Sequence, residues 1–297
     1  MTGPLKPSWI RVKLPSSEGY AHTRSIMKKY NLNTVCEEAL CPNISECWGC
    51  RTATILILGD TCTRSCRFCA VKSGNPKGFV DLEEPRRVAQ AVSELDLKYV
   101  VITSVTRDDL KDGGASIYAE TIREIKKIND DTLIEVLIPD FNNDVKALKT
   151  VVEAGPDVIG HNVETVRRLT PLIRDSRAGY DKSLRTLKIV KELDPNIYTK
   201  SSLMLGLGET IEEVIQTMMD LRRIKVDFFT IGQYLRPSKR HLPVKEYVPP
   251  EKFEELRRIG ENLGFVYVAS GPLVRSSYLA AEYFLRAILS KNTDRTG

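Results

Sequence analysis

Residues 54–69 read TILILGDTCTRSCRFC, an apolar run followed at once by three closely spaced cysteines. The run at 54–58 is rich in β-branched and aliphatic side chains and ends at Gly59-Asp60, which predicts a strand buried on both faces. The cysteines have the spacing C-x3-C-x2-C and are Cys62, Cys66 and Cys69. We expect this group, here called the second triplet, on the loop at the carboxyl end of the first strand of a parallel sheet.

Strand-like and helix-like segments alternate after this stretch. Apolar runs predict five further strands, at residues 99–105, 133–138, 157–160, 198–205 and 226–231. Amphipathic patterns between them predict helices at residues 84–95, 116–128, 142–153, 181–193 and 210–224. Thr210 and Glu213 have the spacing of a capping box at the start of the last helix. The alternation predicts an α/β fold built as a partial (β/α)6 TIM-type barrel, with a doubly wound open sheet as the alternative.

Composition and charge restrict the classes of function. The chain has 297 residues and a net charge of +5, but its basic residues are dispersed and only 7% of its residues are aromatic, which argues against a dedicated nucleic-acid binder. No apolar stretch approaches the roughly 20 residues that span a bilayer. The first residues lack the apolar segment of a secretory signal, so we expect a cytoplasmic protein with reduced thiols.

All seven cysteines fall between residues 36 and 69. A first triplet, spaced C-x4-C-x5-C, is formed by Cys36, Cys41 and Cys47. Each triplet offers three thiolates, one fewer than an iron–sulfur cluster usually has. One zinc ion held by four thiols from both triplets is the alternative, and disulfides are disfavoured in a reducing compartment. Cys50 fits neither triplet and is interpreted as a bystander thiol.

The eight residues from Cys62 to Cys69 resemble the signature of radical S-adenosylmethionine (SAM) enzymes. The resemblance implies that three thiolates hold a [4Fe–4S] cluster with one open iron, which the amino and carboxylate groups of SAM chelate. It also implies that the reduced cluster passes an electron to the sulfonium and releases a 5′-deoxyadenosyl radical, so the second triplet is catalytic. The protein then supplies position and excludes water.

The same resemblance implies SAM contacts near the carboxyl ends of the strands. The turn after the second strand takes the place of the glycine-rich motif, Phe68 lies against the adenine, Glu164 accepts from a ribose hydroxyl, and Arg174 pairs with the methionine carboxylate. Gly206 and Gly208 permit close approach of the backbone to the adenosine. The implied cofactor-binding residues are Phe68, Thr106, Arg107, Asp108, Glu164, Arg174, Lys200 and Ser202. As alternatives, the turn is an ordinary polar loop, Glu164 caps a helix, and Lys200 is simply exposed.

The run CEEALCPNISECW at 36–48 resembles the auxiliary-cluster motif of lipoyl synthases. Further similar motifs are RDDL at 107–110, DGG at 112–114, HNVET at 161–165, MLGLGE at 204–209, QYL at 233–235, GP at 271–272 and RSSY at 275–278. The family resemblance implies that the first triplet holds a second [4Fe–4S] cluster with Ser277 as fourth ligand and Ser276 as the next choice. An alkoxide is poorly matched to iron and can dissociate. As the alternative, these serines cap a C-terminal helix.

The resemblance to lipoyl synthases implies a substrate, namely an octanoyl chain on a lysine of a lipoyl-carrier domain. This carrier is the glycine-cleavage H protein or the acyltransferase subunit of a 2-oxoacid dehydrogenase. Two SAM molecules activate C6 and C8, and the auxiliary cluster supplies both sulfur atoms and is consumed. A flavodoxin or ferredoxin donor and an iron–sulfur assembly or repair protein are implied, with no nucleic-acid or membrane partner. The alternatives are a methylthiotransferase, a biotin-synthase-like enzyme, or a non-catalytic metal-cluster binding protein.

Three parts of the chain follow from these assignments. Residues 1–51 form an N-terminal extension that carries the auxiliary-cluster cysteines and shows no clear strand. Residues 52–262 form the radical SAM barrel. Residues 263–297 form a C-terminal extension with an apolar run at 265–269, the serine motif and an amphipathic helix.

Overall fold

The computed structural model describes residues 5–10, 18–49 and 54–277. The strands in chain order are β1 (Asn33–Thr34), β2 (Thr54–Ile57), β3 (Thr61–Cys62), β4 (Lys72–Ser73), β5 (Tyr99–Ser104), β6 (Leu133–Leu137), β7 (Val158–Gly160), β8 (Tyr198–Leu205), β9 (Phe228–Gln233) and β10 (Tyr267–Gly271). Six of them match the six predicted runs within two residues at either end. Because the runs are apolar and continuous, the strands are buried almost throughout.

The helices surround these strands. In chain order they are α1 (Glu18–Lys29), α2 (Val35–Glu38), α3 (Ile44–Gly49), α4 (Glu84–Glu94), α5 (Ala115–Ile128), α6 (Val145–Glu153), α7 (Thr170–Ile173), α8 (Tyr180–Leu193), α9 (Ile211–Arg223) and α10 (Pro250–Asn262), with a 3-10 turn at Phe141–Asn143. The predicted capping box is confirmed, since the Thr210 side chain accepts from the Glu213 N–H and the Glu213 side chain accepts from the Thr210 N–H. Helix α6 begins three residues later than predicted, because the side chain of Asp144 caps its first turn.

The main sheet has the order β1-β2-β5-β6-β7-β8-β9-β10. All neighbouring pairs are parallel except β1 and β2. Inside the sheet a small apolar cluster is built from strand side chains and residues beside them, without any helix residue; its buried members are Tyr99, Val101, Val158 and Phe228. A doubly wound sheet carries helices on both faces, so this inner face confirms the predicted partial barrel.

Both predicted extensions contribute to the same sheet. The sequence predicts no clear strand in the N-terminal one, yet its residues 33–34 form β1, which pairs with β2 at one edge of the sheet. The C-terminal one adds β10, which runs parallel to β9 at the other edge. The predicted C-terminal helix and Cys50 lie outside the described residues. In the described part of the chain, no helix has the length and apolar character that crossing a membrane requires.

Candidate active site

A cavity of about 560 Å³ opens at the carboxyl ends of the barrel strands. Its wall includes Leu56 of β2, Thr103 of β5, Leu137 of β6 and Met204 of β8. The six described cysteines, from both triplets, also line it, together with Arg275, Ser276 and Ser277 of the C-terminal segment. One cavity therefore contains both predicted cluster sites and both candidate serine ligands.

The second triplet lies on a loop that is hydrogen-bonded on several sides. The Arg64 N–H lies 3.4 Å from the Cys62 sulfur, and the Asp175 N–H lies 3.4 Å from the Cys66 sulfur. Burial raises the pKa of the Cys66 thiol and raises that of Cys69 to about 12. Thiols in such surroundings become thiolates only with a compensating cation, and bound iron provides one.

The side chain of Arg64, inside the cysteine motif, ties this loop to two neighbouring loops. Its guanidinium pairs with Asp108 after β5 at 2.9 Å and with Asp140 after β6 at 2.5 Å. Burial alone raises the pKa of Asp140, but the hydrogen bonds and charge of Arg64 lower it well below its usual range. The two carboxylates therefore stay ionised and hold the buried arginine.

The first triplet surrounds another part of the cavity wall. Cys36 lies in α2, Cys47 in α3, and the Cys41 N–H donates to the Cys36 carbonyl between them. Burial raises the pKa of Cys36 to about 11. Burial also raises the pKa of Cys41, whereas the N–H of Asn43 and the charge of Arg275 oppose that rise.

The C-terminal segment is held against the first triplet by Asn43 and Gly232. The buried Asn43 side chain donates to the Leu273 carbonyl at 2.6 Å. On the opposite side, a Cβ at Gly232 would overlap the Val274 carbonyl oxygen, so only glycine allows the segment to cross β9 so closely. Residues 276 and 277 thereby reach the cavity that the three cysteines line.

Four of the eight predicted SAM contacts line the cavity, namely Phe68, Thr106, Glu164 and Arg174. Glu164 has a left-handed backbone (φ 66°), and it makes a parallel bridge to Leu203 rather than capping a helix. Such strain in a residue other than glycine is typical of functional sites. Burial raises the pKa of the Glu164 carboxyl, and the charge of Arg174 opposes the rise.

The other four predicted contacts have different partners. Arg107 is buried and pairs with Asp109 while donating to the carbonyls of Leu58 and Phe79. It lines, together with Asp108, a neighbouring pocket of about 460 Å³. The structure therefore gives Arg107 the role of fastening loops, in contrast to the predicted cofactor contact.

Lys200 and Ser202 lie deeper, inside the barrel. The Lys200 ammonium is 2.9 Å from the Glu135 carboxylate, and both are buried. Lys200 is thus neither exposed nor on the cavity wall. A Cβ at Gly206 would overlap the Gln233 side chain and the Glu246 carbonyl, so glycine at this position admits these protein atoms to close contact.

Arg174 tests whether the cavity fits an anionic ligand. Its side chain is buried, and its Nη1 donates to two uncharged oxygens, Val163 O and Ser183 Oγ. Its Nε is buried and has no hydrogen-bond partner within the described part of the chain. A buried guanidinium whose partners are uncharged is stabilised when a carboxylate binds it. The cavity therefore fits the predicted methionine carboxylate of SAM.

Across residues 5–10, 18–49 and 54–277, no three His, Cys, Asp or Glu side chains converge on a site for one metal ion. The zinc alternative requires four thiols about 2.3 Å from a single ion. An iron–sulfur cluster distributes its thiolates over separate irons, and the six described cysteines line one cavity.

Three polar residues at this site were not assigned from the sequence. These are Asn43, Asp140 and His161, all of which line the cavity. The position of Asp140 and His161 directly after predicted strands was the available signal, because the carboxyl ends of barrel strands carry functional side chains.

Residues 56–221 match the family model of the Radical SAM superfamily. The lipoyl synthase of Thermus thermophilus is 56% identical over 282 residues, covering 95% of this chain and 87% of that protein. The lipoyl synthase of Pyrobaculum arsenaticum is also 56% identical, with 95% and 96% covered. The mitochondrial lipoyl synthase of Drosophila mojavensis is 52% identical, with 96% and 79% covered.

Solved structures are similar in fold. Methylornithine synthase superimposes with a TM-score of 0.55 at 15% identity, covering 84% of this chain and 70% of that one. The FeFe-hydrogenase maturase HydG from Carboxydothermus hydrogenoformans gives a TM-score of 0.56 at 15% identity, covering 82% and 56%. At this identity the likeness concerns the barrel alone.

Proposed function

The chain belongs to the lipoyl synthase family of radical SAM proteins, and we propose that it inserts two sulfur atoms, at C6 and C8, into a protein-bound octanoyl chain. The observation that carries the proposal is the single cavity lined by both cysteine triplets and by Ser276 and Ser277. An enzyme that activates a carbon and then gives it sulfur needs both functions within reach of one substrate.

The C–H bonds at C6 and C8 have no usable acidity, so no side-chain base can remove these hydrogens. A [4Fe–4S] cluster with SAM supplies, when bound, a carbon radical that abstracts them. We assign Cys62, Cys66 and Cys69 to that cluster. Phe68, Thr106, Glu164 and Arg174 would surround SAM on the cavity wall.

We assign the first triplet to a second [4Fe–4S] cluster that donates the sulfur. Ser277 is the proposed fourth ligand and Ser276 the alternative. The hydrogen bond from Asn43 to Leu273 supports this assignment, because it joins the cysteine motif directly to the segment that carries both serines. In this proposal each of the three parts of the chain has its own role. Residues 1–51 supply the thiolates of the second cluster, residues 52–262 generate the radical, and residues 263–297 supply the serine ligand.

The partners follow from the chemistry. The carrier is an H protein or the acyltransferase subunit of a 2-oxoacid dehydrogenase, whose acyl-lysine arm can enter the open cavity. Each radical event needs an electron, for which flavodoxin or ferredoxin is the proposed donor, and a net charge of +5 suits an acidic partner. A cluster that gives up sulfur must be rebuilt, which requires an iron–sulfur assembly or repair protein.

Anaerobic reconstitution of the full chain tests the proposal. Eight irons per chain are expected for two clusters, from about four in each. Cys62→Ala should abolish SAM cleavage. Cys41→Ala should retain SAM cleavage yet add no sulfur to an octanoylated carrier, as followed by mass spectrometry of the carrier.

Two outcomes would contradict the proposal at different points. Complete lipoyl formation by Cys41→Ala would remove the auxiliary cluster as sulfur donor. A carrier that gains a methylthio group, or a single ring sulfur bridging other carbons, would favour a methylthiotransferase or a biotin-synthase-like enzyme instead.

A further inference from the structure

Arg174 lies at the end of α7 with unusual partners for a buried guanidinium. Its hydrogen bonds run to the uncharged Val163 O at 3.3 Å and Ser183 Oγ at 2.8 Å. Among the residues that the structure describes, its Nε has no hydrogen-bond partner, although the charge of the guanidinium acts on the Glu164 carboxyl. The hydrogen bond to Ser183 is the shorter of the two. A group that orients the Ser183 hydroxyl therefore also orients Arg174.

The hydroxyl of Ser183 is in turn oriented by His161. The His161 Nδ1 lies 2.8 Å from the Ile138 carbonyl, which can only accept, so Nδ1 carries the proton. The neutral ring then accepts at Nε2 from the Ser183 hydroxyl, 2.9 Å away. With its proton directed to His161, the serine oxygen presents its lone pairs to Arg174.

All three side chains of this chain of bonds are buried. Ser183 in α8 has no exposed surface, and His161 is 4% exposed. Burial, followed by the charge of Arg174, lowers the pKa of His161 to about 4. Asp140 acts on the ring in the opposite direction, and Arg64 in the same direction as Arg174. The ring is therefore neutral at ordinary pH, as the order of donors requires.

We infer that His161 and Ser183 are positioning residues that hold Arg174 with its Nε toward the cavity, ready for the carboxylate of the methionine part of SAM. The inference rests on the proposed function, because it takes SAM as the ligand. Neither residue would touch the reacting atoms. Their contribution is to keep the guanidinium from turning toward Glu164, a carboxyl group on which its charge acts.

Binding measurements on the anaerobically reconstituted protein test this inference. The probes are SAM and decarboxylated SAM, which lacks only the carboxylate. We expect Ser183→Ala to weaken SAM binding about tenfold, the usual effect of losing one hydrogen bond to a charged group, and to leave decarboxylated SAM unchanged. A merely structural role would weaken both ligands alike.

Two variants of His161 give an independent measurement if Ser183→Ala folds poorly. Glutamine places an acceptor near the position of Nε2, whereas asparagine is too short to reach Ser183. We therefore expect His161→Gln to retain SAM affinity within about threefold and His161→Asn to match Ser183→Ala. In an Arg174→Gln background, Ser183→Ala should have no further effect, because coupled residues are not additive.

Three results would overturn the inference. These are wild-type affinity in both Ser183→Ala and His161→Asn, equal weakening of both ligands, or full additivity with Arg174→Gln. A wild-type protein that binds no SAM would overturn the proposed function together with the inference. A wild-type protein that binds and cleaves SAM, while its variants fail the ligand comparison, would overturn the inference alone.

Discussion

Arg64 and Asp140 form a two-point ion pair, with Nη1 2.5 Å from Oδ2 and Nη2 2.8 Å from Oδ1. Both side chains are nearly inaccessible to solvent, with 6% and 1% exposed. Arg64 lies between two cysteines of the second triplet, and Asp140 follows β6. The pair therefore links the loop of the second triplet to the rim of the barrel. Both arms of the guanidinium bind the two carboxylate oxygens, which is the strong bidentate form of this ion pair.

Replacing Arg64 by lysine should loosen the cluster loop. Lysine keeps the charge but loses the fork that reaches Asp140 and Asp108 together. We expect a loss of unfolding free energy of about 1–3 kcal/mol and a faster loss of iron from the second triplet. Chelator-induced bleaching of the iron–sulfur absorbance, measured in a Cys41→Ala background, reports the second triplet alone.

Arg67→Lys is the matched control, since Arg67 belongs to the same motif but is exposed and makes one side-chain hydrogen bond, to Leu172 O. It should bleach at the rate of the parent. Equal bleaching rates for Arg64→Lys and Arg67→Lys would contradict a special role for the buried fork.

The C-terminal segment provides a second prediction, which concerns Gly232. A methyl group at this position overlaps the Val274 carbonyl, so Gly232→Ala should displace the segment from the first triplet. Asn43→Ala should do the same more weakly, because it leaves the Leu273 carbonyl without its donor, at a cost of about 1–3 kcal/mol. Sulfur insertion should fall about tenfold or more, while SAM cleavage continues.

Mössbauer spectra of the auxiliary cluster and limited proteolysis of the segment check this displacement. Gly179→Ala is the control, since its φ of −150° suits alanine and its added Cβ would make an ordinary contact of 3.4 Å with Lys182. If Gly232→Ala shows the spectra and proteolysis of the Gly179→Ala protein, the segment does not depend on this close crossing.

The alternation of strands and helices could be predicted from the sequence because most of the strands are apolar runs, whereas the choice between a partial barrel and a doubly wound sheet required the inner face of the sheet. The two triplets are also evident from the sequence, since the cysteines of each lie close together, and their assignment to clusters stays a prediction. The roles of Arg107 and Lys200 could not be predicted, because a polar residue near a strand end can point into the cavity or into the protein. The direction of each side chain depends on its ion-pair partner. Arg107 pairs with Asp109, two residues away, whereas Lys200 pairs with Glu135 on another strand. Likewise, the contact of Asn43 with Leu273 spans 230 residues and leaves no local pattern.

The ion pair of Arg107 with Asp109 predicts a dependence of stability on pH. The hydrogen bond from Arg107 lowers the pKa of Asp109 to about 2, below its ordinary value of 3.8. A carboxyl with a depressed pKa stabilises the fold above its unfolded pKa and loses that effect as the pH falls toward 2. We expect Asp109→Asn to lose about 1–2 kcal/mol at pH 7, and this deficit to shrink steadily below about pH 4.

Urea unfolding of wild type and Asp109→Asn between pH 7 and pH 3 measures the deficit. Asp96→Asn is the control, because Asp96 is 80% exposed and pairs with the similarly exposed Lys98, and exposed ion pairs of this type contribute little to stability. A deficit for Asp109→Asn that stays constant over this pH range would show that the charge of Asp109 is not its source.

The buried pair of Lys200 and Glu135 separates a structural role from a cofactor contact. Glu135 also accepts from the Tyr99 hydroxyl at 2.6 Å, so it anchors a polar group inside an otherwise apolar part of the barrel. Lys200→Met removes the cation and leaves the carboxylate buried, which should cost about 3–5 kcal/mol of unfolding free energy. Replacing both, as Lys200→Met with Glu135→Leu, should recover most of that loss, since no unpaired charge remains. SAM affinity should be unchanged in the folded double variant, because Lys200 is not part of the cavity wall.

Urea unfolding measures the stability of the three proteins, and SAM titration measures their affinity for the cofactor. A large loss of SAM affinity with normal stability would instead support the predicted cofactor contact of Lys200.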